Sequence, residues 1–230
     1  MRNCLSLLLF IIIGSSLILV NFEQLAIVEA SGVELFSGGA PYNKSYGDWV
    51  AEYWKWWISI PENQSSINHP NRIKCLMHDS GPVIFLLSPT GNFHEQNCTI
   101  PTGKALLFTP YTMECDTGLA DYHNASRDSL LSCARDSDGG VFLWSGQVDS
   151  TKLGKGNMTY SETKEFDIPI PPDNQYRADP GTFKAMALGW FIFLKPLPAG
   201  THTISQNYDI KEISTPFSGQ AKYILNVTNP

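Results

Sequence analysis

Residues 182–195 read TFKAMALGWFIFLK and give the clearest single indication of the fold class. Polar and apolar residues alternate loosely at the start of this segment, and the run from Trp190 to Leu194 is continuously apolar. A strand with one wet face alternates, whereas a strand that is buried on both faces is apolar throughout. We therefore expect residues 182–195 to form a central β-strand.

Other segments of the chain are also short and apolar, and Gly and Pro turn signals separate them. Strands are predicted in this way at residues 82–88, 104–112, 141–149, 163–170, 202–210 and 221–227. Many short strands with this punctuation are typical of two packed sheets. The sequence therefore predicts a mainly β protein, an antiparallel β-sandwich of jelly-roll type.

The segment YGDWVAEYWKWWISI, residues 46–60, repeats its large side chains at helical spacing instead. At 100° per residue, one arc of the predicted helix carries Trp49, Tyr53, Trp56, Trp57 and Ile60. Glu52 and Lys55 fall on the opposite arc, and Pro61 stops the helix from continuing. A second, short helix is predicted at residues 124–136.

The aromatic arc has three possible roles. A buried aromatic ring covers about 150–250 Å², and a sheet that is open on one face needs such a lid, which favours core packing. The second role is sugar stacking, for which Trp54 is the candidate because it lies at the edge of the arc. The third role is membrane contact, and it is disfavoured because the polar arc carries Glu52 beside a single Lys55.

The first residues predict export. A short segment with one cation precedes an almost wholly apolar run at residues 5–20, and Val28-Glu29-Ala30 resembles a cleavage site. We expect residues 1–30 to be a signal peptide, with an uncleaved N-terminal anchor as the alternative. Residues 31–230 are then a single exported domain, located outside the cell or at its surface.

Four cysteines remain after residue 30, and they are Cys75, Cys98, Cys115 and Cys133. An even number of cysteines in an exported chain indicates disulfides. Of the three possible pairings we expect Cys75–Cys98 and Cys115–Cys133, because each of these closes a local loop. A zinc site with four cysteine ligands is the alternative, although no C-x-x-C pair is present.

Six Asn-X-Ser/Thr sequons occur after residue 30. Their asparagines are Asn43, Asn63, Asn97, Asn124, Asn157 and Asn226. In an exported chain this number suggests a glycan-covered surface if the host modifies them. An Asn/Ser/Thr-rich composition that is never modified is the alternative.

Several acidic residues lie close together in the segment 114–124. Glu114, Asp116 and Asp121 offer oxygen ligands at the density that Ca²⁺ prefers. A pair of these carboxyls is also the minimum for acid/base cleavage of a sugar linkage. The third interpretation is an ordinary solvated loop.

Other function classes are not indicated. The chain has a formal net charge of −6 and no cluster of Lys and Arg, which argues against nucleic acid as a partner. It contains no G-x-S-x-G, no H-E-x-x-H and no phosphate-binding glycine loop. The membrane is expected as a partner only through an uncleaved anchor.

Spaced landmarks carry a resemblance to a known family. They include YGDWVAEYWKWWISIP at 46–61, CTIPTGKALLFTPYTMECD at 98–116, GWFIFLKPLPAGTHTI at 189–204 and YILNVT at 223–228. Together they resemble a family of uncharacterised secreted proteins of bacteria and archaea. The resemblance implies one integrated exported domain, and it supplies no catalytic residue.

The sequence therefore favours a non-enzymatic protein that binds a glycan or other material at the cell surface. One alternative is an extracellular carbohydrate-active hydrolase or lyase that uses the acidic segment 114–124. Another is a structural component of the envelope. The expected partners are an extracellular glycan or an envelope component.

Overall fold

The protein is described here from a computed structural model, which covers residues 32–65, 75–87, 95–137, 142–210 and 217–229. The predicted signal peptide lies outside the described residues. The α-helices are α1 (Tyr46–Ile58) and α2 (Arg127–Ser137). The strands are β1 (Met77–Ser80), β2 (Val83–Leu86), β3 (Gln96–Pro101), β4 (Ala105–Asp116), β5 (Phe142–Val148), β6 (Thr151–Leu153), β7 (Thr159–Glu162), β8 (Phe166–Ile170), β9 (Gly181–Leu194), β10 (Gly200–Ile210) and β11 (Phe217–Thr228).

The described strands form two sheets, which confirms a mainly β fold with two helices. Sheet A has the order β1-β2-β4-β9-β7, and β8 pairs with β9 beside β7. Sheet B has the order β3-β11-β10-β5-β6. The segment 182–195 corresponds to β9, which pairs with β4 on one side and with β7 and β8 on the other. It is therefore a central strand, as predicted.

The prediction of purely antiparallel sheets is wrong, because each sheet contains one parallel pair. In sheet A, β2 pairs parallel to β4, and in sheet B, β3 pairs parallel to β11. Parallel neighbours need a crossover connection. Between β2 and β4 in sequence, the chain crosses to sheet B and forms β3 there. It then returns to sheet A and enters β4 in the same direction as β2.

Four strands were not predicted from the sequence: β1, β3, β6 and β7. They have three to six residues each and are rich in polar side chains. Strand β3 shows why they were missed, because its buried positions are Gln96, Cys98 and Ile100 and only one of these is an ordinary aliphatic residue. A polar residue at a buried position conceals the alternation that identifies a strand.

Helix α1 begins at a capping box. The hydroxyl of Ser45 accepts a hydrogen bond from the backbone N–H of Asp48 at 3.1 Å, and the Asp48 carboxylate accepts one from the Ser45 N–H at 3.1 Å. Helix α2 begins at Arg127, three residues later than predicted. Asn124 has a φ of 64°, which is incompatible with a right-handed helix.

Sheet A is covered on both faces. One face packs against α1, and this α1 cluster includes Trp49, Tyr53, Trp57, Phe85, Phe191 and Phe193. The other face meets sheet B through an inter-sheet cluster that includes Ile84, Leu106, Ile192, Leu194, Ile204 and Leu225. Farther along the same face it meets α2 through an α2 cluster that includes Cys115, Leu130, Ala134, Met186 and Leu188. The adjacent residues of β9 therefore alternate between two different cores.

Two disulfides are present, Cys75–Cys98 and Cys115–Cys133, with Cα–Cα separations of 5.2 and 6.1 Å. This is the pairing expected from the sequence. The second bridge joins β4 to α2 directly. Within the described residues, no helix has the length and apolar character required to span a membrane.

Candidate functional site

The second half of β4 sends its side chains alternately to the two faces of sheet A. Cys115 belongs to the α2 cluster. Glu114 pairs across the sheet with Ala187, and Asp116 with Ala185, and both alanines belong to the α1 cluster. Directly opposed residues of antiparallel strands share a face. Glu114 and Asp116 therefore lie side by side on the face that α1 covers.

Small residues on β9 make room for these carboxyls. The partner of Thr112 is Gly189, where a Cβ atom would lie 2.6 Å from the carbonyl oxygen of Tyr111. Such a distance is too short for any side chain, so glycine is required at this crossing of β4 and β9. Gly189, Ala187 and Ala185 occupy alternate positions of β9 on this face, and their small size leaves space for the polar side chains of β4.

Glu114 is a partly buried residue with one fully buried carboxyl oxygen. Its Oε1 atom is buried and has no hydrogen-bond partner among the described residues. Burial raises the pKa of Glu114 well above its ordinary value of 4.5, and the neighbouring Asp116 raises it further. The group is therefore predominantly a neutral carboxylic acid over a wider pH range than an exposed glutamate, able to donate as well as accept a hydrogen bond.

Asp116 is buried but has hydrogen-bond partners. One of its carboxylate oxygens accepts a hydrogen bond from the Gly118 N–H at 2.5 Å. Burial raises the pKa of Asp116, and hydrogen bonds from the backbone of Gly118 and Leu119 lower it in part. A Cβ at position 118 would lie 2.7 Å from the same oxygen, so a glycine is needed for this turn to close on the carboxylate.

Trp54, the candidate for sugar stacking, lies on the same face as these carboxyls and is buried. Only 9% of the residue is exposed, the same fraction as for Trp56 in the predicted buried arc. Its indole N–H donates to the Thr112 hydroxyl at 2.9 Å, and that hydroxyl donates to the Leu188 carbonyl at 2.7 Å. The buried arc is wider than helical periodicity suggested. Trp54 joins it because the Thr112 hydroxyl on β4 accepts the hydrogen bond of its indole N–H. Trp49, Tyr53, Trp56 and Trp57 are buried as predicted.

Tyr176 completes the surroundings of Glu114. The indole N–H of Trp57 donates to the Tyr176 hydroxyl oxygen, while 45% of the Tyr176 residue remains exposed. Burial of the hydroxyl raises the pKa of Tyr176 to about 12, and the charge of Glu114 contributes to this increase. The phenol group is therefore a hydrogen-bonding group at any physiological pH.

The loop that carries Tyr176 is fixed to α1. The side-chain amide of Gln175 donates to the Trp57 carbonyl at 2.6 Å. Asn174 donates to the carbonyls of Pro171 and Ala178 at 2.8 and 2.9 Å, which closes the loop on itself. We define the Glu114 site as Trp54, Thr112, Glu114, Asp116 and Tyr176.

Asp121 does not join this site. It is exposed and lies in a separate turn of 3₁₀ helix, Ala120–Tyr122. In the part of the chain that is described, no group of three or more His, Cys, Asp or Glu side chains is placed to hold a metal ion. Glu114, Asp116 and Asp121 are therefore not brought together as a calcium-ligand set.

Sequence reasoning placed Glu114 and Asp116 in a loop, whereas both lie in β4, which continues four residues beyond Thr112. It did not identify Thr112, Trp57 or Tyr176 as neighbours of Glu114. No pattern in the sequence marks Tyr176, because its position depends on how the loop 171–180 folds back onto α1.

All six sequon asparagines are exposed in the structure. Asn97 and Asn226 lie on the outward face of sheet B, on the neighbouring strands β3 and β11. The glycosylation of these residues stays a prediction.

No family model matches the chain, and no curated protein is significantly similar to it. The structure of PbICP-C in complex with falcipain-2 matches at 12% identity over 64% of this chain and 100% of that chain, with a TM-score of 0.23. The cysteine protease inhibitor EhICP2 from Entamoeba histolytica matches at 15% identity over 59% of this chain and 87% of that chain, with a TM-score of 0.23. A family 123 glycoside hydrolase from Clostridium perfringens matches at 12% identity over 60% of this chain and 24% of that chain, with a TM-score of 0.24. With TM-scores this far below 0.5, these likenesses carry no argument about the present chain.

Proposed function

We propose that the protein is an exported, non-enzymatic binding protein whose ligand is a glycan and whose ligand site is the Glu114 site. The observation that carries the proposal is the buried Oε1 atom of Glu114, which has no hydrogen-bond partner among the described residues. An unpaired buried polar atom is costly for folding, and a bound hydroxyl group would pair with it.

The chemistry of the site fits a neutral, hydroxyl-rich ligand. A protonated Glu114 donates and accepts hydrogen bonds, as a sugar hydroxyl does. The Tyr176 ring, which is partly exposed, adds an apolar surface against which the C–H face of a sugar ring packs. A small number of polar groups beside aromatic rings is the usual composition of a small-molecule site.

The proposal of export rests on the apolar N-terminal segment and agrees with two disulfides, which persist in oxidising compartments. The proposed fold is a jelly-roll-like sandwich. It is supported by the inter-sheet cluster, to which both sheets contribute side chains.

A carbohydrate-active hydrolase or lyase is the second candidate. It is favoured by the raised pKa values of both Glu114 and Asp116, because catalytic acids often have such pKa values. In that case Glu114 would be the general acid. The two candidates differ in one measurable respect, which is whether the bound glycan is cleaved.

The test is binding of the oxidised, exported protein to a glycan array at about pH 5 and pH 7, followed by calorimetry with each glycan that is retained. Glu114→Ala is expected to abolish binding, and the exposed Glu165→Ala is the matched control. Equal binding by Glu114→Ala and the unmodified protein would contradict the proposal. Release of new reducing ends from the bound glycan, lost in Glu114→Gln while binding persists, would establish the hydrolase instead.

A further inference from the structure

We infer that Asn157 carries an N-linked glycan whose first sugar packs against the ring of Tyr160. The inference depends on the predicted export of the chain, and it is independent of the Glu114 site. Asn157 is one of the six sequon asparagines. Its surroundings provide both an available acceptor nitrogen and a surface for the attached sugar.

The side chain of Asn157 is oriented for the attachment. Asn157 is the last residue of a 3₁₀ turn, Lys155–Asn157, and it is exposed. Its Oδ1 atom accepts a hydrogen bond from the Gly154 N–H at 2.9 Å. Its Nδ2 atom, which is the atom that a glycan modifies, makes no hydrogen bond to the described part of the chain. The oxygen therefore fixes the side chain, and the nitrogen stays available.

The attachment replaces one hydrogen of the amide and leaves the turn unchanged. The co-reactant is a lipid-linked oligosaccharide of the host, and a host transferase is the catalyst. The bond from sugar C1 to the lipid diphosphate breaks, and the diphosphate leaves with the electron pair. Nδ2 of Asn157 forms the new bond to C1 and releases one proton to solvent. Oδ1 takes no part, so its hydrogen bond from Gly154 is kept.

An exposed aromatic surface follows this turn in the chain. Strand β7 begins two residues after Asn157, and its Tyr160 pairs across sheet A with Trp190 of β9. The ring centroids of Tyr160 and Trp190 are 5.2 Å apart, and 38% of the Tyr160 residue is exposed. The C–H face of a sugar ring packs well on such a ring, because one side of the ring is already supported.

The side chain of Lys155 shows that the turn lies close to these rings. Its ammonium group is 5.3 Å from the centre of the Trp190 ring, and a lysine reaches only as far as its four-carbon stem allows. Asn157 belongs to the same short turn, so a sugar on its Nδ2 lies within reach of Tyr160. Among the described residues Lys155 has no carboxylate partner. Its ammonium is therefore available to donate to the hydroxyl oxygens of that sugar.

The Tyr160 ring is held in place before any sugar arrives. Its hydroxyl donates to the Glu162 carboxylate at 3.0 Å. Arg135 on α2 makes two hydrogen bonds to the same carboxylate, at 2.9 and 2.7 Å. A surface that is already ordered costs little entropy on contact. A single sugar–ring contact is weak in free solution, but covalent attachment two residues before β7 gives the sugar a high effective concentration.

The test compares the oxidised protein from two exporting hosts, of which only one N-glycosylates its secreted proteins. Peptide mass spectrometry is expected to find a glycan on Asn157 in that host. The glycosylated protein should have the higher thermal midpoint, and Asn157→Gln should reduce the difference between the two forms by at least about 2 °C. Each variant is compared with its own unglycosylated form, so a general loss of stability cancels.

Variants of Tyr160 identify the contact. Tyr160→Ala should reduce the difference as much as Asn157→Gln does, and the double variant should reduce it no further. Tyr160→Phe keeps the ring and should leave the difference unchanged. Leu143→Ala, at a 57% exposed apolar residue of sheet B, is the matched control and should also leave it unchanged.

Three results would overturn the inference. The first is an unmodified Asn157 in the glycosylating host. The second is a glycan on Asn157 that raises the thermal midpoint equally with and without the Tyr160 ring. The third is a glycan on Asn157 that leaves the midpoint unchanged. None of these results bears on the Glu114 site, which is tested by the binding of added glycans.

Discussion

The two helices are attached to opposite faces of sheet A by different means. Helix α1 has thirteen residues, of which eight are buried, and most of these are aromatic. Helix α2 buries Leu130, Cys133 and Ala134 among its described side chains, and the Cys115–Cys133 disulfide joins it to β4. Buried aromatic side chains therefore attach α1 to sheet A, whereas α2 combines a smaller apolar contact with a covalent bridge.

The largest expected effect is the loss of an α1 aromatic ring. Trp49 is 1% exposed, contacts Phe85 and Phe193, and donates from its indole N–H to the Pro41 carbonyl at 3.0 Å. Trp49→Ala should therefore lower the free energy of unfolding by about 3–5 kcal/mol in a urea titration. Leu143→Ala, at a residue that is 57% exposed, is the control and should change it by less than about 0.5 kcal/mol. Similar losses in the two variants would refute the view that α1 is held by buried aromatic area.

Removal of the α2 disulfide is expected to cost somewhat less. The bridge closes a loop with a sequence separation of 18, for which chain entropy predicts about 3 kcal/mol. The double variant Cys115→Ser/Cys133→Ser should lose about this much stability. Its amide hydrogens in α2 should exchange faster than those in α1, as measured by mass spectrometry. Equal acceleration in both helices would show that the disulfide stabilises the whole domain and not the attachment of α2.

Glu114 lies between the two attachments, and its titration should be visible in stability. A native pKa above the unfolded value means that the native state binds more protons, so the free energy of unfolding falls as pH rises above about 4.5. Glu114→Gln should reduce this decline to the part that Asp116 contributes, and it should stabilise the protein at pH 7 by on the order of 1–2 kcal/mol. Urea titrations between about pH 4 and pH 8 measure it, with the exposed Glu165→Gln as the control. A parallel decline in Glu114→Gln and the unmodified protein would exclude Glu114 as its source.

The smallest expected effect concerns one hydrogen bond between α1 and β4, from Trp54 to Thr112. Trp54→Phe keeps an aromatic ring and removes the N–H that donates to Thr112. A double-mutant cycle with Thr112→Val should give a coupling energy of about 0.5–1.5 kcal/mol. Additive effects of the two substitutions would mean that the hydrogen bond does not contribute to the attachment of α1.

The sequence predicted the features that depend on local periodicity. The arc of Trp49, Tyr53 and Trp57 follows from the helical repeat alone, and the disulfide pairing follows from loop length. It did not predict that Trp54 is buried, because the width of a buried arc depends on the surface opposite it. Here that surface offers the hydroxyl of Thr112.

Only the two carboxyl residues of the Glu114 site were recognised as candidate ligands from the sequence, and they were assigned to a loop. Glu114 and Asp116 were identified as chemically interesting, but acidic residues are depleted in strands, so β4 was predicted to end at Thr112. Tertiary packing overrides that preference, because Ala185, Ala187 and Gly189 on β9 leave space for the carboxyls. The position of Tyr176 depends on contacts between distant segments, and a single sequence contains no local signal for it.

The parallel pairing of β3 with β11 has a kinetic consequence. Cys98 and Leu225 are register partners in sheet B, although most of the described chain lies between them. Pairing of such distant segments requires the closure of a long loop, and its entropy cost arises before any contact offsets it. Folding is therefore expected on a timescale of roughly milliseconds to seconds. Until β11 arrives, the edge of β3 that β11 will cover is also open to any other copy of the chain. The Cys75–Cys98 disulfide anchors that edge, so early oxidation should reduce aggregation during refolding.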